Sequence, residues 1–305
     1  MFFAPERLPV VRRWILRGEN IDKVQEFQRT DFRDIFKEMD GLPVTVRLLD
    51  PPLHEFLPNP KEVTDDFAET LNYPDAQTLK KDIADMHEEN PMLGFRGCRL
   101  SVVYPEITEM QVKAIIGAAA QAMDEGYKPL PEIMIPLVIN VREIRLISEI
   151  IDKSIRAVSR EKTVSVPYKV GTMMETPRAC LGADRLAGSV EFMSFGTNDL
   201  TQMTYGFSRD DAGKFIPQYL DQKLIESDPF VSLDQRAVGR LMEMAVDESR
   251  RRKKGIKYGI CGEHGGDPRS IQFCHDLGLD YVSCSPFRVP VARIAAAQAN
   301  VDGEP

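Results

Sequence analysis

The hydrophobic and polar positions of this chain switch between two periods from one end to the other. Short apolar runs, typical of buried strands, are separated by longer segments in which apolar residues recur at helical spacing. The strand-like runs lie near residues 46, 99, 135, 171, 194, 259 and 282. Strands that alternate with helices predict a parallel sheet with helices outside it, and therefore an α/β fold.

The helical segments fall between these runs. Helices are predicted at 20–38, 106–125, 142–157, 177–187, 232–253, 268–277 and 288–299. Residues 61–89 are acidic, poor in apolar side chains and interrupted by Pro74, so we expect a pair of solvated surface helices there. Because no linker-like change of composition interrupts the pattern, we interpret residues 1–305 as one domain.

Composition narrows the classes of function. The 305 residues suit a (β/α)8 barrel. Lys and Arg number 39 against 47 Asp and Glu, and this net charge of −8 disfavours nucleic acid and anionic membranes as partners. No apolar run is long enough to predict a membrane span. The five cysteines show no framework of paired spacings, which predicts a reducing compartment and makes the cytoplasm the expected location.

Charged or reactive residues stand where several predicted strands end. Glu175, Asn198, Asp199 and Cys261 each follow an apolar run of this kind. The carboxyl ends of parallel strands meet at one rim of a barrel, and barrel enzymes carry out their chemistry at that rim. We therefore expect these side chains to lie close together.

Two of these residues are candidate metal ligands, and a third is a candidate acid or base. Glu175 and Asp199 could share Mg²⁺, which prefers oxygen ligands and commonly takes one or two carboxylates. Alternatively, each carboxylate pairs with an arginine or caps the following helix. The thiol of Cys261 could transfer a proton, or it could be a small buried apolar group. Cys261 and His264 together lack the further ligands that a zinc site needs.

Two arginines are candidate anion-binding residues. Arg47 interrupts an apolar strand, where an unpaired charge is costly, so it needs an anion. That anion is either the carboxylate of Asp50 or a bound phosphate or carboxylate, whose oxygens match the guanidinium fork. Arg96 lies between two glycines, which permit a ligand to approach closely.

The string of motifs identifies a family resemblance. The segments that carry it are VTVRLLDPPLHEFLP at 44–58, GFRGCRL at 94–100, VGTMMETPRA at 170–179, SFGTNDLTQMTYGFSRDD at 194–211 and GICGEHGGDP at 259–268. Over nearly all of residues 1–299 the chain resembles the C-terminal phosphoenolpyruvate/pyruvate-binding barrel of the pyruvate, phosphate dikinase family. DPPLHEF in particular favours the dikinases over phosphoenolpyruvate synthase and Enzyme I of the sugar-transport system.

The resemblance implies roles for individual residues. Glu175 and Asp199 correspond to the Mg²⁺ ligands, and Cys261 corresponds to the proton donor at the methylene carbon. Arg47 and Arg96 correspond to arginines that hold the phosphoryl group and the oxyanion. The residues implied to line the substrate site are Gly196, Thr197, Asn198 and Asp199.

The resemblance also implies an architecture and a reaction. The fold would be a (β/α)8 barrel of the phosphoenolpyruvate/pyruvate-domain type, lacking a first strand that precedes Met1 in the family. In the full enzymes an ATP-binding part and a swinging phosphohistidine domain, both outside this chain, complete the conversion of ATP, phosphate and pyruvate to AMP, diphosphate and phosphoenolpyruvate. The chain alone would not complete that cycle, and a homodimer is implied.

Two other functions are compatible with the residues. A Mg²⁺-dependent lyase or aldolase acting on pyruvate enolate would share Glu175, Asp199 and the arginines, but it does not need DPPLHEF. A non-catalytic fragment or dimerisation module would need none of these residues for chemistry.

Overall fold

The computed structural model describes residues 2–302, which divide into two compact units. Unit 1 comprises residues 2–134 and 146–169, and unit 2 comprises residues 135–145 and 170–302. The six strands succeed one another in chain order, with helices between them. This arrangement confirms the α/β class and is that of a partial (β/α)8 barrel. The interpretation of the whole chain as one domain stays a prediction.

Unit 1 contains two parallel strands and the N-terminal helices. Its elements are α1 (Leu8–Arg17), α2 (Ile21–Glu38), β1 (Pro43–Arg47), α3 (Asp65–Thr70), α4 (Ala76–Asp85), α5 (Cys98–Val103), α6 (Pro105–Asp124), β2 (Leu130–Ile135) and most of α7 (Val141–Lys162). The helices α3 and α4 confirm the predicted pair within residues 61–89. Among residues 2–302, no helix has both the length and the apolar character needed to cross a bilayer.

Buried amides fix the course of the chain just after β1. Gln111 on α6 donates from Nε2 to Gln28 Oε1 on α2 at 3.2 Å, and its own Oε1 accepts the Leu49 N–H at 2.7 Å. Both glutamines are buried, and buried polar groups are tolerated when they are hydrogen-bonded in this way. The segment that carries Asp50 is therefore held by two helices of the same unit.

Unit 2 contains the remaining strands, and the ends of three of them are level. Its elements are β3 (Lys169–Met174), α8 (Pro177–Leu181), α9 (Ala183–Ala187), β4 (Phe192–Gly196), α10 (Thr197–Tyr205), α11 (Arg209–Ala212), α12 (Ile216–Asp221), α13 (Val238–Arg252), β5 (Lys257–Cys261), α14 (Pro268–Asp276), β6 (Tyr281–Val282) and α15 (Val289–Asp302). In the parallel register Met174 pairs with Phe195, and Gly196 pairs with Cys261. The residues that follow these strands therefore start from one edge.

One predicted strand is wrong. The run near residue 99 forms the helix α5 (Cys98–Val103) instead. Cys98 and Ser101, three residues apart, are both buried, which is the spacing of a helix face. A short apolar run cannot be assigned to strand or buried helix by periodicity alone, and here the tertiary packing favoured the helix.

A second prediction is wrong at one boundary. The strand predicted near residue 194, with Asn198 and Asp199 at its end, stops at Gly196, and α10 begins at Thr197. Asn198 and Asp199 therefore lie in the first turn of a helix rather than at a strand end. Short polar side chains compete with strand pairing by hydrogen-bonding locally, and they are favoured at the beginnings of helices.

Candidate functional site

A buried carboxylate follows β3. Glu175 is fully buried, and its Oε1 accepts the backbone N–H of Leu137 at 2.5 Å. Leu137, just after β2, has a φ of 57°, a left-handed conformation that costs a non-glycine residue about 1–3 kcal/mol. Strain of this size persists only where the surroundings impose it. The chain after β2 is thus held in a conformation that directs its N–H at the Glu175 carboxylate.

The end of β4 lies close to the carboxylate of Glu175. A Cβ atom on Gly196 would lie 2.6 Å from Glu175 Oε2 and 2.6 Å from the Met173 methyl group. Real Cβ atoms do not approach other atoms so closely, so only glycine fits between β4 and Glu175. The prediction that the ends of β3 and β4 lie together is confirmed for these residues.

The first turn of α10 extends this edge. Asn198 Oδ1 is buried and has no hydrogen-bond partner among the described residues. This oxygen faces Gly262, because a Cβ atom built on Gly262 would lie 3.1 Å from it. Gly262 also has a φ of 96°, a backbone conformation that favours glycine. Asp199 lies next in the same turn. An amide oxygen and a carboxylate therefore begin α10 beside the loop that follows β5.

Cys261 ends β5 level with Gly196. It is half-buried, and its thiol donates to the Phe195 carbonyl oxygen at 3.6 Å. All five cysteines are free, and three of them are buried, namely Cys98, Cys180 and Cys274. Burial raises the pKa of Cys180 and of Cys274 to about 12, which keeps both as inert thiols. The partial exposure of Cys261 is what a proton-transfer role requires, although that role stays a prediction.

The oxygen atoms of this edge suit a hard cation. Glu175, Asp199 and the amide oxygen of Asn198 are the donor types that Mg²⁺ prefers, and Mg²⁺ commonly takes one or two carboxylates. Within residues 2–302 no group of three or more His, Cys, Asp or Glu side chains is placed to hold a metal ion. An all-oxygen donor set matches the preference of Mg²⁺, whereas zinc is usually held by Cys and His side chains.

A buried histidine, which the sequence suggested only as a weak zinc ligand, connects the parts of this edge. His264 is fully buried; its Nδ1 lies 2.7 Å from Thr197 Oγ1, and its Nε2 lies 2.9 Å from the Pro229 carbonyl oxygen. Thr197 Oγ1 also lies 3.2 Å from the carbonyl oxygen of Cys261. The Gly-rich turn directly after Cys261 was the one signal in the sequence that could have drawn attention to this residue.

The protonation of His264 should make stability depend on pH. Burial lowers the pKa of His264 below 6.5, although the hydrogen bond to Pro229 opposes that shift. The unfolded chain therefore binds a proton at a higher pH than the folded chain does, and the free energy of unfolding falls as the pH drops below about 6.5. We expect urea denaturation of the His264→Gln variant to show a shallower decline over this range. The exposed His275→Gln is the matched control, and a wild-type slope in His264→Gln would contradict the assignment.

The candidate arginines of unit 1 share one carboxylate. Arg96 Nη2 lies 2.6 Å from Asp50 Oδ2, and Arg47 Nη1 lies 3.3 Å from the same oxygen. The side chain of Arg96 is 4% exposed and that of Arg47 is 44% exposed. Arg47 and Asp50 also line a cavity of about 350 Å³ in unit 1, together with Phe2 and Phe56. Asp50 thus meets the need of both arginines for an anion, and their binding of a ligand stays a prediction.

The buried ion pair of Arg96 and Asp50 should make a large difference to the free energy of unfolding when one member is removed. Removing one member of a buried ion pair costs about 3–5 kcal/mol, because the other charge stays buried without compensation. We expect Arg96→Met to lose about that much free energy of unfolding in urea, and Asp50→Leu combined with Arg96→Met to recover most of it. The exposed Arg142→Met should stay near wild type. A loss below about 1 kcal/mol in Arg96→Met would show that the pair is solvated.

Comparisons with known proteins give consistent matches. The model of the family "PEP-utilising enzyme, PEP-binding domain" matches residues 1–301. The chain is 50% identical to pyruvate, phosphate dikinase of Clostridium symbiosum, over 100% of this chain and 36% of that protein. It is 52% identical to the chloroplastic pyruvate, phosphate dikinase 1 of Arabidopsis thaliana, over 99% of this chain and 32% of the relative. It is 52% identical to the pyruvate, phosphate dikinase of Rhizobium meliloti, over 99% of this chain and 34% of that protein. The chain thus spans about a third of the length of these relatives.

Proposed function

The chain belongs to the PEP-utilising enzymes through their PEP-binding domain, and from that premise we propose that it binds pyruvate and phosphoenolpyruvate as part of a pyruvate, phosphate dikinase. The observation that carries the proposal is the approach of Gly196 to Glu175, with Asn198 and Asp199 following directly. In this proposal Glu175, Asn198 and Asp199 supply hard oxygen donors at one edge of unit 2. The half-buried thiol of Cys261 ends the next strand.

In this proposal Glu175 and Asp199 hold Mg²⁺, and the amide of Asn198 faces the same ligand. When bound, Mg²⁺ acts as a Lewis acid that stabilises negative charge on the substrate oxygens. The protein holds the oxygen donors in position before the substrate binds. Leu137 restrains one carboxylate through its N–H, and the first turn of α10 presents the other. Donors that are positioned before the substrate arrives need no rearrangement during the reaction.

Cys261 moves the proton in this proposal. As a thiolate it takes a proton from the methyl group of pyruvate, and the enolate oxygen then attacks the phosphorus of a phosphohistidine. The P–N bond breaks as the O–P bond forms, giving phosphoenolpyruvate and free histidine. In the reverse direction the thiol returns the proton to the methylene carbon. The resemblance assigns phosphoryl binding to Arg47 and Arg96, groups whose charge suits a transferring phosphoryl group.

The remaining steps need partners outside these residues. The phosphohistidine domain and the ATP-binding part of a dikinase would supply the phosphoryl group, consistent with relatives about three times as long as this chain. A homodimer and a cytoplasmic location stay predictions from the resemblance and from the cysteine content. No feature of the described residues favours the lyase, the aldolase or the non-catalytic module over the dikinase domain.

An assay of the complete reaction tests this proposal. Supplied with phosphoenolpyruvate, AMP and diphosphate, the 305-residue chain by itself should form no ATP. Adding the ATP-binding and phosphohistidine portion of the Clostridium symbiosum relative, as a separate polypeptide, should give ATP formation that depends on both components. ATP formation by the chain alone would contradict the proposal that the ATP-binding and phosphohistidine portion is required. Turnover of pyruvate with an aldehyde, without phosphoryl transfer, would favour the aldolase.

A further inference from the structure

His264 is a buried side chain that the proposed chemistry does not use, and both of its ring nitrogens are hydrogen-bonded. It lies in the single turn of 3₁₀ helix after β5, Glu263–Gly266, and is fully buried. The turn packs closely, because a Cβ atom on Gly265 would lie 2.0 Å from the Ser283 carbonyl oxygen. A polar ring in so tight a place has a fixed orientation.

The hydrogen bonds of His264 determine where its proton lies. The Pro229 carbonyl oxygen, 2.9 Å from Nε2, can only accept, so Nε2 carries the proton. In the neutral ring Nδ1 is then an acceptor, and it takes the hydroxyl proton of Thr197 at 2.7 Å. Burial lowers the pKa of His264 and keeps the ring neutral at pH 7. The hydroxyl of Thr197 is thus oriented by the ring.

The segment that contains Pro229 is itself anchored. Ser232 Oγ donates to Asp267 Oδ2 at 2.9 Å, and the same carboxylate accepts the Ser270 N–H at the beginning of α14. Asp228 Oδ1 accepts the N–H of Phe230 on the other side of Pro229. The Pro229 carbonyl that accepts the hydrogen bond of His264 therefore has a fixed position. The ring of His264 is held by that bond, and it in turn fixes the hydroxyl of Thr197.

We propose that His264 is a positioning residue of the pyruvate site, acting through the Thr197 hydroxyl to fix the first turn of α10 against the end of β5. Thr197 precedes Asn198 and Asp199, and its hydroxyl lies 3.2 Å from the carbonyl oxygen of Cys261. The hydroxyl has a single proton, which it donates to His264 Nδ1, so the Cys261 carbonyl oxygen is a close neighbour of the hydroxyl and not a second acceptor. The hydrogen bond therefore connects the turn that carries Asp199 to His264, in the 3₁₀ turn that directly follows Cys261 and β5. The inference rests on the proposed function, since it assigns His264 to that site.

The position of Thr197 in this chain also refines the family resemblance. The resemblance implies that Thr197 lines the substrate site, but its side chain is fully buried and its hydroxyl faces His264 and Cys261. In this inference its side chain supports the neighbouring Asn198 and Asp199. Residues that orient ligands of a metal typically change metal affinity or activity by about 10–100-fold when replaced.

The test uses paired variants that keep or remove one hydrogen bond. His264→Asn keeps an acceptor near the position of Nδ1, whereas His264→Gln keeps a donor near Nε2 and loses the bond to Thr197. Thr197→Ser keeps the hydroxyl, whereas Thr197→Val removes it with little change of shape. The first readout is the Mg²⁺-dependent affinity of the full chain for oxalate, a planar analogue of the pyruvate enolate, measured by calorimetry. The second readout is the stability of each variant in urea.

We expect His264→Gln and Thr197→Val each to weaken oxalate binding about tenfold. The double variant should be no weaker than either single variant, because both changes break the same connection. His264→Asn and Thr197→Ser should keep most of the affinity, even where their stability is reduced. Wild-type affinity in Thr197→Val, additive losses in the double variant, or affinities that follow stability alone would overturn the positioning role. If the wild-type chain binds no oxalate with Mg²⁺, the proposed function fails and this inference fails with it.

Discussion

Replacing Cys261 with alanine should stop the exchange of pyruvate methyl protons with solvent while leaving oxalate binding close to wild type. Cys261 is half-buried at the end of β5, level with Gly196, and the Gly262 that follows it faces Asn198. A positioned acid or base typically contributes about 10²–10⁴-fold to a proton transfer. We therefore expect the Mg²⁺-dependent exchange of deuterium into pyruvate, followed by NMR in D₂O, to fall by at least about a hundredfold in Cys261→Ala.

The matched control for this prediction is another half-buried cysteine. Cys284 lies in the same unit and is also half-buried, so Cys284→Ala tests whether any accessible thiol supports exchange. Cys284→Ala should exchange at the wild-type rate. If Cys261→Ala also exchanged at that rate, the proton would be moved by another group.

Neutralising either candidate metal ligand should abolish the effect of Mg²⁺ on ligand binding. Glu175→Gln and Asp199→Asn keep the size of each side chain but remove the charge that attracts a hard cation. Changes to residues that only orient a ligand already cost about 10–100-fold in metal affinity, so losing a direct ligand should cost more. Calorimetry with oxalate in Mg²⁺ should then give no more heat than the same titration in EDTA.

The exposed Asp221, at the end of α12, supplies the control for this pair of changes. Asp221→Asn makes the same change of net charge away from the site and should bind oxalate like wild type. Because the buried Glu175 accepts the N–H of Leu137, Glu175→Gln also needs a urea denaturation curve to separate unfolding from loss of metal. Retained Mg²⁺ dependence in Asp199→Asn would assign the metal to other ligands.

The sequence predicted that Glu175, Asn198, Asp199 and Cys261 would lie close together, for a simple geometrical reason. Parallel strands that point the same way end at the same edge, so an apolar run followed by a polar residue indicates where that edge carries chemistry. The register confirms that β4 and β5 end at one edge, since Gly196 pairs with Cys261. The need for glycine at 196 could not be predicted, because it depends on how closely β4 approaches Glu175.

What the sequence could not predict depends on contacts between distant residues. The ring of His264 bonds Pro229 and Thr197, which are 35 and 67 residues away along the chain. The left-handed conformation of Leu137 is imposed by its surroundings, and a leucine carries no local signal for it. The helix at Cys98–Val103 was mistaken for a strand because its apolar run is too short to show a period.

Titration of oxalate into the wild-type chain, once in Mg²⁺ and once in EDTA, tests the central claim most directly. The claim is that Glu175 and Asp199 hold a cation on which an enolate-like ligand binds. In Mg²⁺ we expect a saturable heat of binding at a stoichiometry of one ligand per chain, and in EDTA we expect none. Equal heats in the two titrations would contradict the metal site and the account of pyruvate binding built on it.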